Sequence, residues 1–338
     1  MTQKAPAQEW GVISTCREPA PLIVALVAHY LSLGASRFYL FLDEDVPEVR
    51  QALGGNPKVE ITLCDNAHWR EVSGRRPANI IRRQVENAIC VSERAELPWL
   101  LHIDADEFLW SDLPVGEILS AVPEDVLFLK VANAERMIRQ SDSQDTIFDG
   151  LFRMSVPDNW DASLQRKLAK PPLTRRGLSG HSSGKSLFRT GRGLLPGIHS
   201  PRLPGIASRE LASLQLDSLL LLHFDGLTKA HWQSKLARLA NRYAEAPETH
   251  KRRMKLKRQE PMRAAQIDYL AKRDHTPEAL DNLYTHLKVL TPEEERQLRA
   301  FGLLRRVELS IEDSIRKMGI ADQVDLTCNA FNAELGLT

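Results

Sequence analysis

Asp104, Asp106 and Glu107 set three carboxylates within four consecutive positions of the stretch WLLHIDADEFLW (99–110), directly after a short apolar run. Nothing inside the stretch neutralises them, so a cation or a bound substrate is expected to offset their repulsion. In an extended segment, residues i and i+2 point to the same side. On that reading Asp104 and Asp106 face one site, with the small Ala105 between them. Two hard oxygen donors, with positions left for water and phosphate oxygens, suit Mg²⁺ or Mn²⁺. The competing reading of a lone DxD is a solvated acidic turn after a strand. The return of apolar residues at Phe108, Leu109 and Trp110 favours the site.

The elements that must position these acids follow from the apolar runs. WGVIST (10–15), RFYLFLDE (37–44), VEITLCD (59–65) and WLLHI (99–103) predict strands. Between them LIVALVAHYLSLG (22–34), VPEVRQALGG (46–55) and ANIIRRQVENAICVSERAE (78–96) predict helices, the first two with glycine stops. Strands alternating with helices of this length predict an α/β fold, a mostly parallel sheet flanked by helices. Ligands of such sheets collect at the carboxyl ends of the strands. Asp43, Glu44, Asp65, Asp104 and Asp106 all fall at such ends. Regularity drops after VLFLKVANAERM (126–137), a further buried strand is expected at 217–224, and the chain beyond is largely helical. The expected division is an α/β domain over 1–240 and a helical extension over 241–338.

HIDADEFL resembles the DxDEF signature of GT-A glycosyltransferases, in particular the family 2 and family 92-like group. CREPAPLIVALVAHYLSLGASRFYLFLDED is similar to the opening block of that group, and RRQVENAICVSERAELPWLLHIDADEFL to its approach to the metal site. GKSLFR (184–189), GIHSPR (197–202) and LLHFDGLTKAHWQSKLAR (221–238) resemble its later blocks, in the same order. The likeness runs from about residue 10 to residue 240. One departure is Cys16-Arg17 where the group has Lys-Asn, which alters the expected base or ribose contacts. The resemblance implies a nucleotide-sugar donor, a divalent metal (Mn²⁺ or Mg²⁺) and transfer to the hydroxyl of a glycan, lipid or other acceptor. Asp106 would ligate the metal, and Asp104 would contact ribose or a metal-bound water. Glu18 and Asp43 match acidic positions near the nucleoside.

Other residues can then be weighed. No Asp or Glu occurs from Arg166 to Arg209, a stretch holding Arg175, Arg176, Lys185, Arg189 and Arg192. Fixed cations stabilise a departing nucleoside diphosphate, and Lys185, inside the GKS block, is the candidate. Arg82 or its neighbour Arg83 is placed to reach a phosphate from the helix before the acidic strand. His223, ending DSLLLLH, suits a third metal ligand better than His199; His29 and His102 read as structural. An inverting transfer needs a carboxylate base, for which Asp158 and Asp161 in VPDNWDAS are the candidates. Trp160 and Trp232 either stack an acceptor sugar or fill the core. The basic run 250–258 suits peripheral contact with an anionic membrane, or forms a solvated helix face.

Composition excludes more than it selects. In 338 residues, 45 Lys and Arg nearly balance 44 Asp and Glu. With no nucleic-acid motif, that balance argues against a nucleic-acid partner. Four scattered cysteines without a CxxC pair argue against zinc and a disulfide framework. No secretory signal or membrane-length apolar run is visible, so a cytoplasmic protein, membrane-associated at most, is expected. The rival readings are a nucleotidyltransferase and a non-catalytic anion-binding module.

Overall fold

The apolar runs between residues 10 and 103 form β1 (Trp10–Cys16), β2 (Arg37–Leu42), β3 (Val59–Leu63) and β4 (Trp99–Ile103). These pair in parallel in the order β4-β1-β2-β3, in registers that set Trp10 beside Trp99 and Gly11 beside Arg37. β1 and β4 are buried along their whole length. The result is a mixed α/β architecture with a parallel sheet at its centre, as the alternation of runs predicts.

The computed structural model describes residues 6–245 and 261–337. Cα packing resolves two units, each assembled from separated stretches of chain. One comprises Met1–Ala132, Ser183–Leu221 and Ser310–Asp325; the other comprises Asn133–Ser182, Leu222–Leu309 and Leu326–Thr338. The stretch after residue 240, expected as an appendage, is thus shared between both units. The basic run 250–258 lies outside the described residues. Among the described residues no helix is long and apolar enough to cross a membrane.

In the first unit, α1 (Ala20–Ser32) and α2 (Pro47–Leu53) make the first two crossovers, and α3 (Asn66–Ser73) and α4 (Ile80–Arg94) share the third. α1 is apolar nearly all round, buried from Pro21 to Tyr30. It packs on β2 and β5 (Glu107–Ser111) and also against the helix Ile311–Lys317, so it has little solvated face. α3 is not among the helices that the sequence predicts. It carries one buried residue, Trp69, too few for a periodic signal, and it starts because Asp65 accepts the His68 amide at 2.9 Å. β8 (Lys185–Arg189) lies antiparallel to β4, and the first residues of β6 (Phe128–Arg139) lie antiparallel to β8.

In the second unit, residues Ala134–Met137 of β6 pair antiparallel with β7 (Leu151–Met154), which pairs with the two-residue strand Leu304–Arg305. Helices Lys229–Glu245, Pro261–Ala271 and Pro277–Lys288 pack together around Trp232, Leu236, Leu270 and Leu283. Trp232 is fully buried here, and Trp160 packs on Phe301 at 5.7 Å. Trp232 is thus a core ring, whereas Trp160 is half-buried at the edge of a core cluster.

Candidate functional site

β4 ends at Ile103 and β5 begins at Glu107, so Asp104, Ala105 and Asp106 form a tight turn and not an extended segment. The Glu107 amide donates to the Asp104 carbonyl at 3.2 Å and closes it. The i/i+2 argument for a shared face therefore does not apply. A different geometry gathers the acids. Cys16, at the end of the neighbouring strand β1, has its thiol pushed up to about 12, first by burial and then by the charges of Glu18, Asp104 and Asp106. All three charges act on that thiol at the end of β1.

Asp104 is held from two sides. Gln84 Nε2 donates to Oδ1 at 2.6 Å, and Lys185 Nζ lies 2.7 Å from Oδ2. Glu107 is fully buried; its Oε2 accepts the Asp104 amide at 2.9 Å and lies 3.3 Å from the same ammonium. Burial alone would lower the pKa of Lys185, but Asp104 and Glu107 outweigh it and raise it. Lys185, expected to face a donor phosphate, is instead an enclosed counter-ion to two carboxylates. Gly184 makes its position attainable: with φ +63°, it passes so close to Val131 that a Cβ would sit 2.0 Å from the Val131 carbonyl.

α4 supplies the other supports. Asn79 caps it by accepting the Ile81 amide at 2.8 Å. One turn on, Arg83 grips Asp43 through both carboxylate oxygens, at 2.9 Å each, and Arg76 adds a contact at 3.0 Å. Asp43 is fully enclosed, so its charge is committed to these arginines and not to a nucleoside. Arg82, the sequence choice, is 66% exposed and paired with Glu86 along the helix. Asn87 is buried and bonds Thr15 at 3.0 Å and His68 at 2.8 Å. Gln84, Arg76 and Asn87 were missed. The one available signal was helical spacing: positions 83, 84 and 87 share a face of α4 turned toward the strand ends.

His102 and His29 are structural as expected: burial, the leading cause in each case, lowers both to about 4. His199 bonds the Gly184 carbonyl at 2.9 Å. His223 belongs to the second unit, its ring 4.5 Å from that of His181. Among the described residues no three His, Cys, Asp or Glu side chains are gathered to hold a metal. The two carboxylates of the acidic turn, Asp104 and Asp106, are hard oxygen donors of the kind that Mg²⁺ or Mn²⁺ takes beside phosphate oxygens.

The candidate bases also lie in the second unit. Asp161 caps the helix Ala162–Ala169, accepting the Ser163 and Leu164 amides at 2.9 and 3.2 Å. Its bond from the Ser163 hydroxyl, and then those amides, lower its pKa, which weakens it as a base. Asp158 is 79% exposed, with Arg176 Nε at 3.2 Å.

The second unit holds a buried charged cluster that sequence reasoning did not find. Lys288 lies 2.6 Å from Glu135 and 2.9 Å from Asp225. Glu135 also accepts the Ser179 and Gly180 amides at 3.0 and 2.6 Å. Asp225 accepts Trp232 Nε1 at 3.2 Å and pairs with Arg263 at 3.0 Å. Its members are too scattered in sequence to read as a group.

No protein-family model matches the chain, and no curated protein sequence matches it. Solved structures similar to it include GalNAc-T7 with UDP, GalNAc and Mn²⁺, at 11% identity and a TM-score of 0.36, over 68% of this chain. That alignment spans 47% of the GalNAc-T7 chain, about half its length. HddC from Yersinia pseudotuberculosis is similar at 11% identity and a TM-score of 0.28, over 54% of this chain and 74% of that one. The bifunctional glycosyltransferase WbbM is similar at 15% identity and a TM-score of 0.24, over 39% of this chain and 24% of that one.

Proposed function

We propose that the protein is a glycosyltransferase that binds a nucleotide-sugar donor at the acidic turn and transfers the sugar to an acceptor hydroxyl with inversion. The observation that carries this reading is the acidic turn Asp104–Asp106 at the carboxyl end of β4, where Asp104 is fixed by Gln84 at 2.6 Å and by Lys185 at 2.7 Å. A binding edge of a parallel sheet that concentrates carboxylates suits a ligand that arrives with a cation. Asp106 and Asp104 would hold the ion, Asp106 as direct ligand. Gln84 and Lys185 fix the Asp104 carboxylate, so its orientation is set before any ligand arrives. When bound, Mn²⁺ or Mg²⁺ would neutralise charge on the donor diphosphate. In the reaction the acceptor oxygen bonds to the anomeric carbon as the bond from that carbon to the phosphate oxygen breaks. The acceptor proton passes to a carboxylate base, and the nucleoside diphosphate leaves.

The test is a thermal-shift screen of nucleotide sugars, each with and without Mn²⁺, on the wild type and on Asp106→Asn. Ligand at about 100 times its Kd stabilises the folded state by about 2.7 kcal/mol. We expect one donor class to raise the wild-type Tm in the presence of Mn²⁺, and that rise to be absent in Asp106→Asn. Turnover should release a nucleoside diphosphate. Release of pyrophosphate, or an Asp106→Asn variant with full activity, would overturn the reading.

A further inference from the structure

Ile80 and Ile81 open α4 in contact with water, 41% and 46% exposed. Single apolar side chains on a surface need no explanation, but these two adjoin, and every residue from Ala78 to Arg82 is exposed with them. The segment that carries them is tied down. Arg76 donates to the Cys64 and Asp43 carbonyls at 3.4 and 3.1 Å and pairs with the enclosed Asp43 carboxylate. Arg83 holds it from the other side, donating to the Pro77 carbonyl at 2.9 Å while it grips Asp43. The Asn79 cap then fixes the first turn of the helix. Buried charge thus holds two isoleucines outward.

Their surroundings are basic. The five arginines between residues 70 and 86 face three carboxylates, Glu71 and Glu86 from the same stretch and the enclosed Asp43. Arg75 and Arg82, on either side of the isoleucines, are exposed. A second copy docked through this face would set arginine against arginine across a two-fold axis. Two isoleucines also fall well short of the about 800 Å² that each partner of a stable protein interface buries. An anionic bilayer supplies both complements at once, negative headgroups for the arginines and hydrocarbon beneath them for the isoleucines. We propose that the loop 74–79 and the first turn of α4 dock on an anionic lipid bilayer. Arg75 and Arg82 sit at the lipid phosphates, and Ile80 and Ile81 insert below them. Neither isoleucine has a part in the reading of the acidic turn, so the two claims fail separately.

The test is sedimentation of the full chain with vesicles of phosphatidylcholine, alone or mixed with phosphatidylglycerol, at low and high salt. Hydrogen exchange over residues 74–86 is followed on the same samples. We expect binding to the mixed vesicles only, weakened by salt, with exchange slowed at residues 78–83. A basic residue at an anionic surface is worth about fivefold in partitioning. Arg75→Gln with Arg82→Gln should therefore weaken binding by more than about tenfold. Ile80→Gln with Ile81→Gln, which removes the inserted apolar surface, should weaken it at least about tenfold. All four side chains are exposed, so both variants should keep the wild-type circular dichroism. Failure of the wild type to bind mixed vesicles, or unchanged exchange over 74–86 when it does bind, overturns the proposal. Binding that survives in either double variant overturns it too, because the basic run 250–258 or another surface would then hold the lipid. A wild-type dimer in light scattering that Ile80→Gln with Ile81→Gln dissolves would assign this face to a second copy and overturn it as well.

Discussion

Replacing Lys288 with methionine would leave Glu135 and Asp225 buried beside each other without the ammonium they share. Removing one partner of a buried ion pair costs about 3–5 kcal/mol, and a denaturant melt of Lys288→Met should show a loss of that size. The pH dependence follows from the same contacts. Burial alone would raise both carboxyls. For Glu135 the charge of Lys288 outweighs it, and for Asp225 the charges of Arg263 and then Lys288 do, so both end below their ordinary values. Depressed carboxylates contribute stability that is complete above about pH 5 and lost as pH falls below about 4. Wild-type stability should therefore drop across that range, and Lys288→Met should drop less. None of this was legible from single residues. Glu135, Asp225 and Lys288 look like ordinary surface charges until the fold removes them from water. The acidic turn was legible because three carboxylates after an apolar run is a local anomaly. The capping role of Asp161 was not legible, because a helix cap and a general base have the same side chain and the amides that Asp161 accepts come from the fold.

At the scale of elements, α4 is the scaffold of the candidate site, since Arg83, Gln84 and Asn87 reach Asp43, Asp104 and Thr15 from one helical face. Loss of its cap should be felt at the turn. Asn79→Ala should cost about 1 kcal/mol and weaken Mn²⁺ binding beside UDP or GDP, while Asn79→Asp restores both; a melt and a titration on the same samples check this. Of the elements, β1 to β4, α1, α2 and α4 could be read from the sequence, because long apolar runs and helical periodicity survive in isolation. α3 could not, with one buried residue in eight positions. The two-residue strand Leu304–Arg305 could not either, since two residues carry no period. The segment 104–106 was read as extended because the strand before it is; the closing bond from Glu107 that makes it a turn has no sequence signature.

Over the whole molecule, the α/β class was legible and the boundary at residue 240 was not, because compactness depends on which segments meet, not on where composition shifts. Both units are discontinuous, and that ties the chain to the order of its synthesis. Glu135 leaves the ribosome 153 residues ahead of Lys288. At about 5–20 residues per second that is an interval of about 8–30 s, during which two acids await a partner not yet translated. α1 waits longer still for the helix Ile311–Lys317. Nascent chains arrested with residue 270 outside the tunnel should therefore remain open to protease around Glu135 and Ser179. Chains arrested with Lys288 and Leu309 outside should gain protection there, while α1 stays susceptible until translation has passed residue 325.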